Sequence, residues 1–204
     1  MDQLADGSVR IESPLYNAGV YRKNVSSAAS AGVVLCEKPL MGHLTLRGSQ
    51  QDDSFLSGAA EVLGGPLPTQ PLTSANYEDV TIRWISPDQW LLLVDFKRAS
   101  EVEQQLHQSL SGHYSVVNVS GGQTLLELSG SHASDVLKKG TSLDIHPSHF
   151  PVGKVAGSTL AKSSALFCRT GEQSWELVVR RSFADYLWLW LQDAAEEYGL
   201  VVQR

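Results

Sequence analysis

The chain has 204 residues, 42% hydrophobic and 19% charged, which suits one or two compact domains and excludes a disordered or fibrous chain. A formal charge of −6 and a pI near 5.5 exclude the concentrated Lys/Arg surface that displaces counterions from nucleic acid. No apolar run approaches the roughly 20 residues of a membrane helix, and the start, MDQLADGSVR, lacks the basic-then-apolar order of a secretory signal, so a cytoplasmic chain is expected.

Residues 1–30 are weakly periodic and rich in small polar residues, predicting an N-terminal arm with only local order. Residues 31–119 read as a first βαββαβ-like module. It has a strand around His43 to Arg47, a helix from about Asp52 to Leu63 and strands at Val80 to Ile85 and Trp90 to Val94. A helix from about Ser100 to Leu110 and a strand at Tyr114 to Val119 complete it.

Residues 120–204 repeat the order. Thr124 to Leu128 is a buried strand, and Ser131 caps a short helix that stops at Gly140. The apolar segment Leu160 to Cys168 and the alternating segment Trp175 to Val179 make a hairpin across the TGEQ turn. Ser182 and Asp185 give a capping-box-like start to a helix running to Tyr198, which Gly199 ends before a last strand, Leu200 to Gln203. LTLRGS, beginning at Leu44, recurs as LELSGS at Leu126, and WLLLVD, beginning at Trp90, recurs as WELVVR at Trp175. Two matches at nearly one offset predict a pseudo-repeat, and hence an α+β fold of two packed ferredoxin-like (split βαβ) modules.

In the last helix, Phe183, Leu187, Trp190, Leu191, Ala194 and Tyr198 share one stripe at 100° per residue. Trp188 and Leu189 fall off its centre on opposite flanks and need another cover. Either another part of the same chain supplies it, or these two residues form a partner interface, where tryptophan is enriched.

The dinucleotide, P-loop, nucleophile-elbow and zinc-protease motifs do not occur in the sequence. Asp144, His146 and His149 place two imidazoles and a carboxylate in a Pro-broken loop, where ordinary loop hydrogen bonding competes with metal binding. Gly121 and Gly122 suit either an anion approach or a bend between strands, and Arg180 and Arg181 either an anion at a helix start or a solvated pair. Cys36 and Cys168 lie outside any CxxC spacing and read as small apolar residues rather than a disulfide or zinc ligands. No catalytic, cofactor-binding or metal-binding residue is assigned.

The segments VNVSGGQTLLELSGSHASDVLKKGTSLDIHPSHFPVG, SPDQWLLL and RRSFADYLWLWLQDAAEEYG together resemble the gamma subunit of heterotetrameric sarcosine oxidase, from about Ile11 onward. That family is similar in fold to the aminomethyltransferase (T-protein) of the glycine cleavage system and its folate-binding domain. The resemblance implies a bacterial complex that demethylates sarcosine oxidatively to glycine. The one-carbon unit passes to tetrahydrofolate or is released as formaldehyde, and hydrogen peroxide forms. It further implies alpha, beta and delta subunits as partners, with FAD, FMN and NAD on the large subunits and zinc on delta. The aminomethyltransferase pattern places adjacent acids after a Gly-Gly pair. Here Gly64-Gly65 runs into Pro66 and Gly121-Gly122 into Gln123-Thr124, so a non-catalytic subunit supporting assembly is expected. The alternative is a stand-alone folate-binding aminomethyltransferase-like protein.

Overall fold

The computed structural model describes residues 3–4, 10–18 and 31–203. Strands β1 (Gln3–Leu4) and β2 (Arg10–Ile11) pair as a small antiparallel ribbon. Next come β3 (Val33–Lys38), β4 (Met41–Arg47), α1 (Asp53–Leu63), β5 (Ser74–Asn76), β6 (Val80–Ser86), β7 (Gln89–Asp95), α2 (Ala99–Ser109) and β8 (Ser115–Asn118). The second half supplies β9 (Gln123–Ser129), α3 (Ala133–Lys138), β10 (Val155–Leu160), β11 (Ser163–Gly171), β12 (Ser174–Arg180), α4 (Ala184–Ala195) and β13 (Leu200–Gln203).

These strands form two main sheets. One is five-stranded and antiparallel, in the order β5-β6-β7-β4-β8, and the other six-stranded, in the order β10-β11-β12-β9-β3-β13. In the first, β4, β6, β7 and β8 with α1 and α2 form a ferredoxin-like unit. The second repeats it with β9, β11, β12 and β13, and the repeat extends to register: Leu46 pairs with Trp90, and Leu128 with Trp175.

Alternation along the strands explains the layers. Trp90, Leu92 and Val94 of β7 turn toward α1 and α2, whereas Leu91 and Leu93 meet Leu125 and Val178 of the other sheet. Both faces of β7 are therefore buried, which is why it reads as a continuous apolar run. The sheets pack face to face and the helices lie outside. Trp90 and Trp175 are fully buried, and their indole N–H groups donate to Pro68 O at 2.8 Å and Ser134 Oγ at 3.1 Å.

Several expectations need correction. Strand β3 falls within the first module's expected range, 31–119, yet inserts between β9 and β13 of the second sheet, antiparallel to one and parallel to the other. The segment Leu160 to Cys168 is not one strand: the chain turns at Ala161, whose φ of 53° is left-handed, so Leu160 ends β10 and the rest belongs to β11. Neither Ser131 nor Ser182 caps a helix, because α3 and α4 have His132 and Phe183 at that position with no side-chain cap bond. Part of the arm, 1–30, lies outside the described residues. Within them, Leu15 and Ala18 pack into the second module's core, and Ser13 Oγ donates to Glu37 at 2.8 Å.

Candidate functional site

Helix α4 buries Ala184, Leu187, Trp188, Leu191, Gln192 and Ala195, a clean succession of three- and four-residue steps against the six-stranded sheet. This stripe is rotated from the one expected. Phe183 sits in a 3-10 turn before the helix, 41% exposed, so counting it as helical shifts the apparent centre. Trp188, expected off the stripe, is only 4% exposed and shares its core cluster with Leu15 and Ala18 of the arm. Leu189 stays on the outer side at 37% exposure, beside Tyr186 at 37%.

The structure does not bring the other candidates together. Asp144 Oδ1 accepts from the His146 backbone N–H at 3.0 Å, and Asp144 Oδ2 meets His149 Nδ1 at 2.5 Å. The His146 N–H, and after it the His149 ring, hold the Asp144 carboxyl below its usual range. Among the described residues no group of three His, Cys, Asp or Glu side chains is placed to hold a metal ion. Gly121 and Gly122 lie in a 3-10 turn joining β8 to β9, with open space where side chains would stand. Arg180, the last residue of β12, and Arg181, in the turn that follows it, are exposed. Gly64, at φ 78°, is the left-handed cap of α1, and a Cβ on Gly65 would strike the Tyr77 ring, so this Gly-Gly pair serves the backbone.

Sequence reasoning missed a charged cluster between the sheets. Arg83 on β6 is fully buried, and its Nη2 bonds Glu176 on β12, whose other oxygen accepts from Lys38 Nζ at 2.5 Å. Lys38 also reaches Glu127 at 2.9 Å. Burial opposes the Lys38 charge, but Glu176 and Glu127 outweigh it and raise its pKa. Nearby, His43 is 1% exposed, and its Nδ1 lies 3.0 Å from Met41 O, so that nitrogen carries the proton. Burial, with Arg83 adding to it, lowers His43 to about 4, so the imidazole is neutral. Burial raises the Cys168 thiol. The signal available was that TIRWIS sets an arginine directly between Ile82 and Trp84 of a strand. Removing one partner of such a buried pair is costly, whereas replacing both by apolar side chains is often neutral or stabilising.

Comparison with known proteins gives these arrangements a context. A family model described as sarcosine oxidase, gamma subunit family, matches residues 47–197. A sarcosine oxidase subunit gamma from Corynebacterium sp. (strain P-1) is 35% identical over 142 residues, 69% of each chain. Its counterpart from Corynebacterium sp. (strain U-96) is 28% identical over 203 residues, 97% of this chain and 96% of the relative. Among solved structures, a chain of heterotetrameric sarcosine oxidase from Corynebacterium sp. U-96 superposes with a TM-score of 0.84 at 28% identity, covering 92% of this chain and 96% of that one. The aminomethyltransferase T of the glycine cleavage system from Bartonella henselae shares the fold at a TM-score of 0.66 and 15% identity, covering 93% of this chain and 58% of that one.

Proposed function

Because the chain belongs to the sarcosine oxidase gamma subunit family, we propose that it is the non-catalytic gamma subunit of a heterotetrameric complex that oxidatively demethylates sarcosine to glycine. In this reading the alpha, beta and delta subunits are its partners. FAD, FMN and NAD reside on the large subunits, zinc on delta, and the one-carbon unit passes to tetrahydrofolate or leaves as formaldehyde. The observation that carries the reading is the near end-to-end correspondence with a chain of a heterotetrameric sarcosine oxidase, at a TM-score of 0.84.

The physical mechanism is linkage. A subunit that binds only correctly folded partners stabilises them by RT ln(1 + [L]/Kd), about 2.7 kcal/mol at a hundredfold excess over Kd. The paired Gly64 and Gly65 support the non-catalytic part of the reading, because both are used by helix capping and the contact with Tyr77.

The test is to assemble the complex with and without this chain. Loss of flavin content, thermal stability and sarcosine turnover without it is expected, and equal values in both preparations would overturn the proposal. Saturable binding of tetrahydrofolate to the isolated chain would instead favour the aminomethyltransferase-like alternative.

A further inference from the structure

The second helices of the two modules, α2 and α4, correspond position by position when WLLLVD is laid over WELVVR. Ala99, Val102, Leu106 and Leu110 are buried in the first module, and Ala184, Leu187, Leu191 and Ala195 in the second. Their outer positions diverge. Where the first module has Arg98, Glu101 and Gln104, the second has Phe183, Tyr186 and Leu189, which are 41%, 37% and 37% exposed. The half-buried Trp190, four residues beyond Tyr186, packs on the module's own core, so close to Gly140 that a Cβ there would strike its ring. Three large apolar side chains in succession on the outside of one helix are not needed for the fold, since α2 does without them.

The charges around this face are also unusual. Asp193, Glu196 and Glu197 follow the apolar residues at the C-terminal end of α4, and no basic residue stands in its last turn. Carboxylates there oppose the helix dipole. Lys139 answers in part, by bonding Glu197 and the Ala194 carbonyl oxygen. An apolar patch with an acidic end is complementary to an apolar depression bordered by Lys or Arg. It is less suited to a second copy of a chain that itself carries −6.

We propose that the outer face of α4, centred on Phe183, Tyr186 and Leu189, docks onto a larger subunit of the complex, in an apolar depression bordered by basic residues. This rests on the gamma-subunit reading above. Trp190, held against its own module beside Gly140, fixes the flank of this face in place, which reduces the entropy lost on binding, and the acidic end steers encounter.

The experiment co-expresses the complex with a chain carrying Tyr186→Asp and Leu189→Asp, and in parallel with Gln104→Asp, the matching position on α2. Circular dichroism of each free chain reports its fold, and Tyr186→Ser with Leu189→Ser replaces the aspartates if they prevent folding. At least a tenfold loss of the α4 aspartate variant from the purified complex is expected, or about threefold for the serines, with Gln104→Asp retained fully. Full retention of a folded α4 variant would overturn the surface while leaving the function standing. A wild-type chain that never co-purifies would overturn the function itself. Variants that only convert a dimer of the free chain to a monomer would assign the face to a second copy and overturn the proposal.

Discussion

The two modules share a register and differ in what they do with it. Arg83 pairs with Leu91 across β6 and β7, and Cys168 with Glu176 across β11 and β12. The same place in the repeat therefore holds an Arg–Leu pair in one module and a Cys–Glu pair in the other. The charges are divided so that the cation of one sheet meets the anion of the other. Two copies of the first module would put leucine at position 176 and leave Arg83 without its carboxylate, so divergence at these positions is what makes the two faces complementary. The outer helices diverge in the opposite sense: α2 is polar toward solvent, whereas α4 presents aromatic and aliphatic side chains. Inside, the repeat became complementary to itself; outside, one copy became suited to another surface.

The inter-sheet pair offers the largest way to break this comparison. Giving Glu176 the residue found at Leu91, as Glu176→Leu, leaves the buried Arg83 guanidinium without its carboxylate. A loss of about 3–5 kcal/mol in denaturant unfolding is expected. Adding Arg83→Met recovers most of it, because the penalty lies in the uncompensated charge. Failure of the double variant to recover would mean that the pair is not the unit holding the sheets in register.

A smaller effect concerns His43, whose counterpart in the second module is Leu125 when LTLRGS is laid over LELSGS. Burial holds the folded-state pKa to about 4 against an ordinary 6.5, so between those values the unfolded chain binds a proton that the folded chain refuses. The stability contribution is therefore intact above pH 6.5 and falls as pH drops toward 4, by about 3 kcal/mol at most. His43→Leu, which makes the modules alike here, is expected to flatten that limb of the stability–pH curve. An unchanged limb would assign the acid sensitivity elsewhere.

Helix starts give the smallest contrast. The Asp52 carboxylate accepts from the Ser54 and Phe55 N–H groups at 3.0 and 3.1 Å, whereas no side chain caps α4. Asp52→Ala is expected to lower stability measurably, and Ser182→Ala by less than about 0.5 kcal/mol, in thermal or denaturant unfolding. Equal costs would contradict the assignment of the caps.

These contrasts mark what the sequence made legible. Amphipathic helices and alternating strands carry local signals, so both βαββαβ successions, the repeat and the α+β class were readable. Strand β3 was not, because nothing in VVLCEK says that it will pair with β9, far along the chain, rather than with its own module. The turn at Ala161 was hidden as well, since a left-handed alanine leaves no glycine to mark it. Of the two residues read as lying off the helix stripe, Leu189 does lie off it, while Trp188 falls within it, because its placement depended on where the helix begins and on arm residues far away in sequence. The Arg83–Glu176 pair required knowing that two sheets meet.

The most direct measurement is hydroxyl-radical footprinting of the assembled complex against the free chain, read at Phe183, Tyr186 and Leu189 on one side and at Gln104 and His107 on α2 on the other. A severalfold drop in oxidation at the three α4 side chains on assembly, with α2 unchanged, is the expected result. Equal oxidation of α4 in the complex and in the free chain would contradict the assignment of this face to assembly.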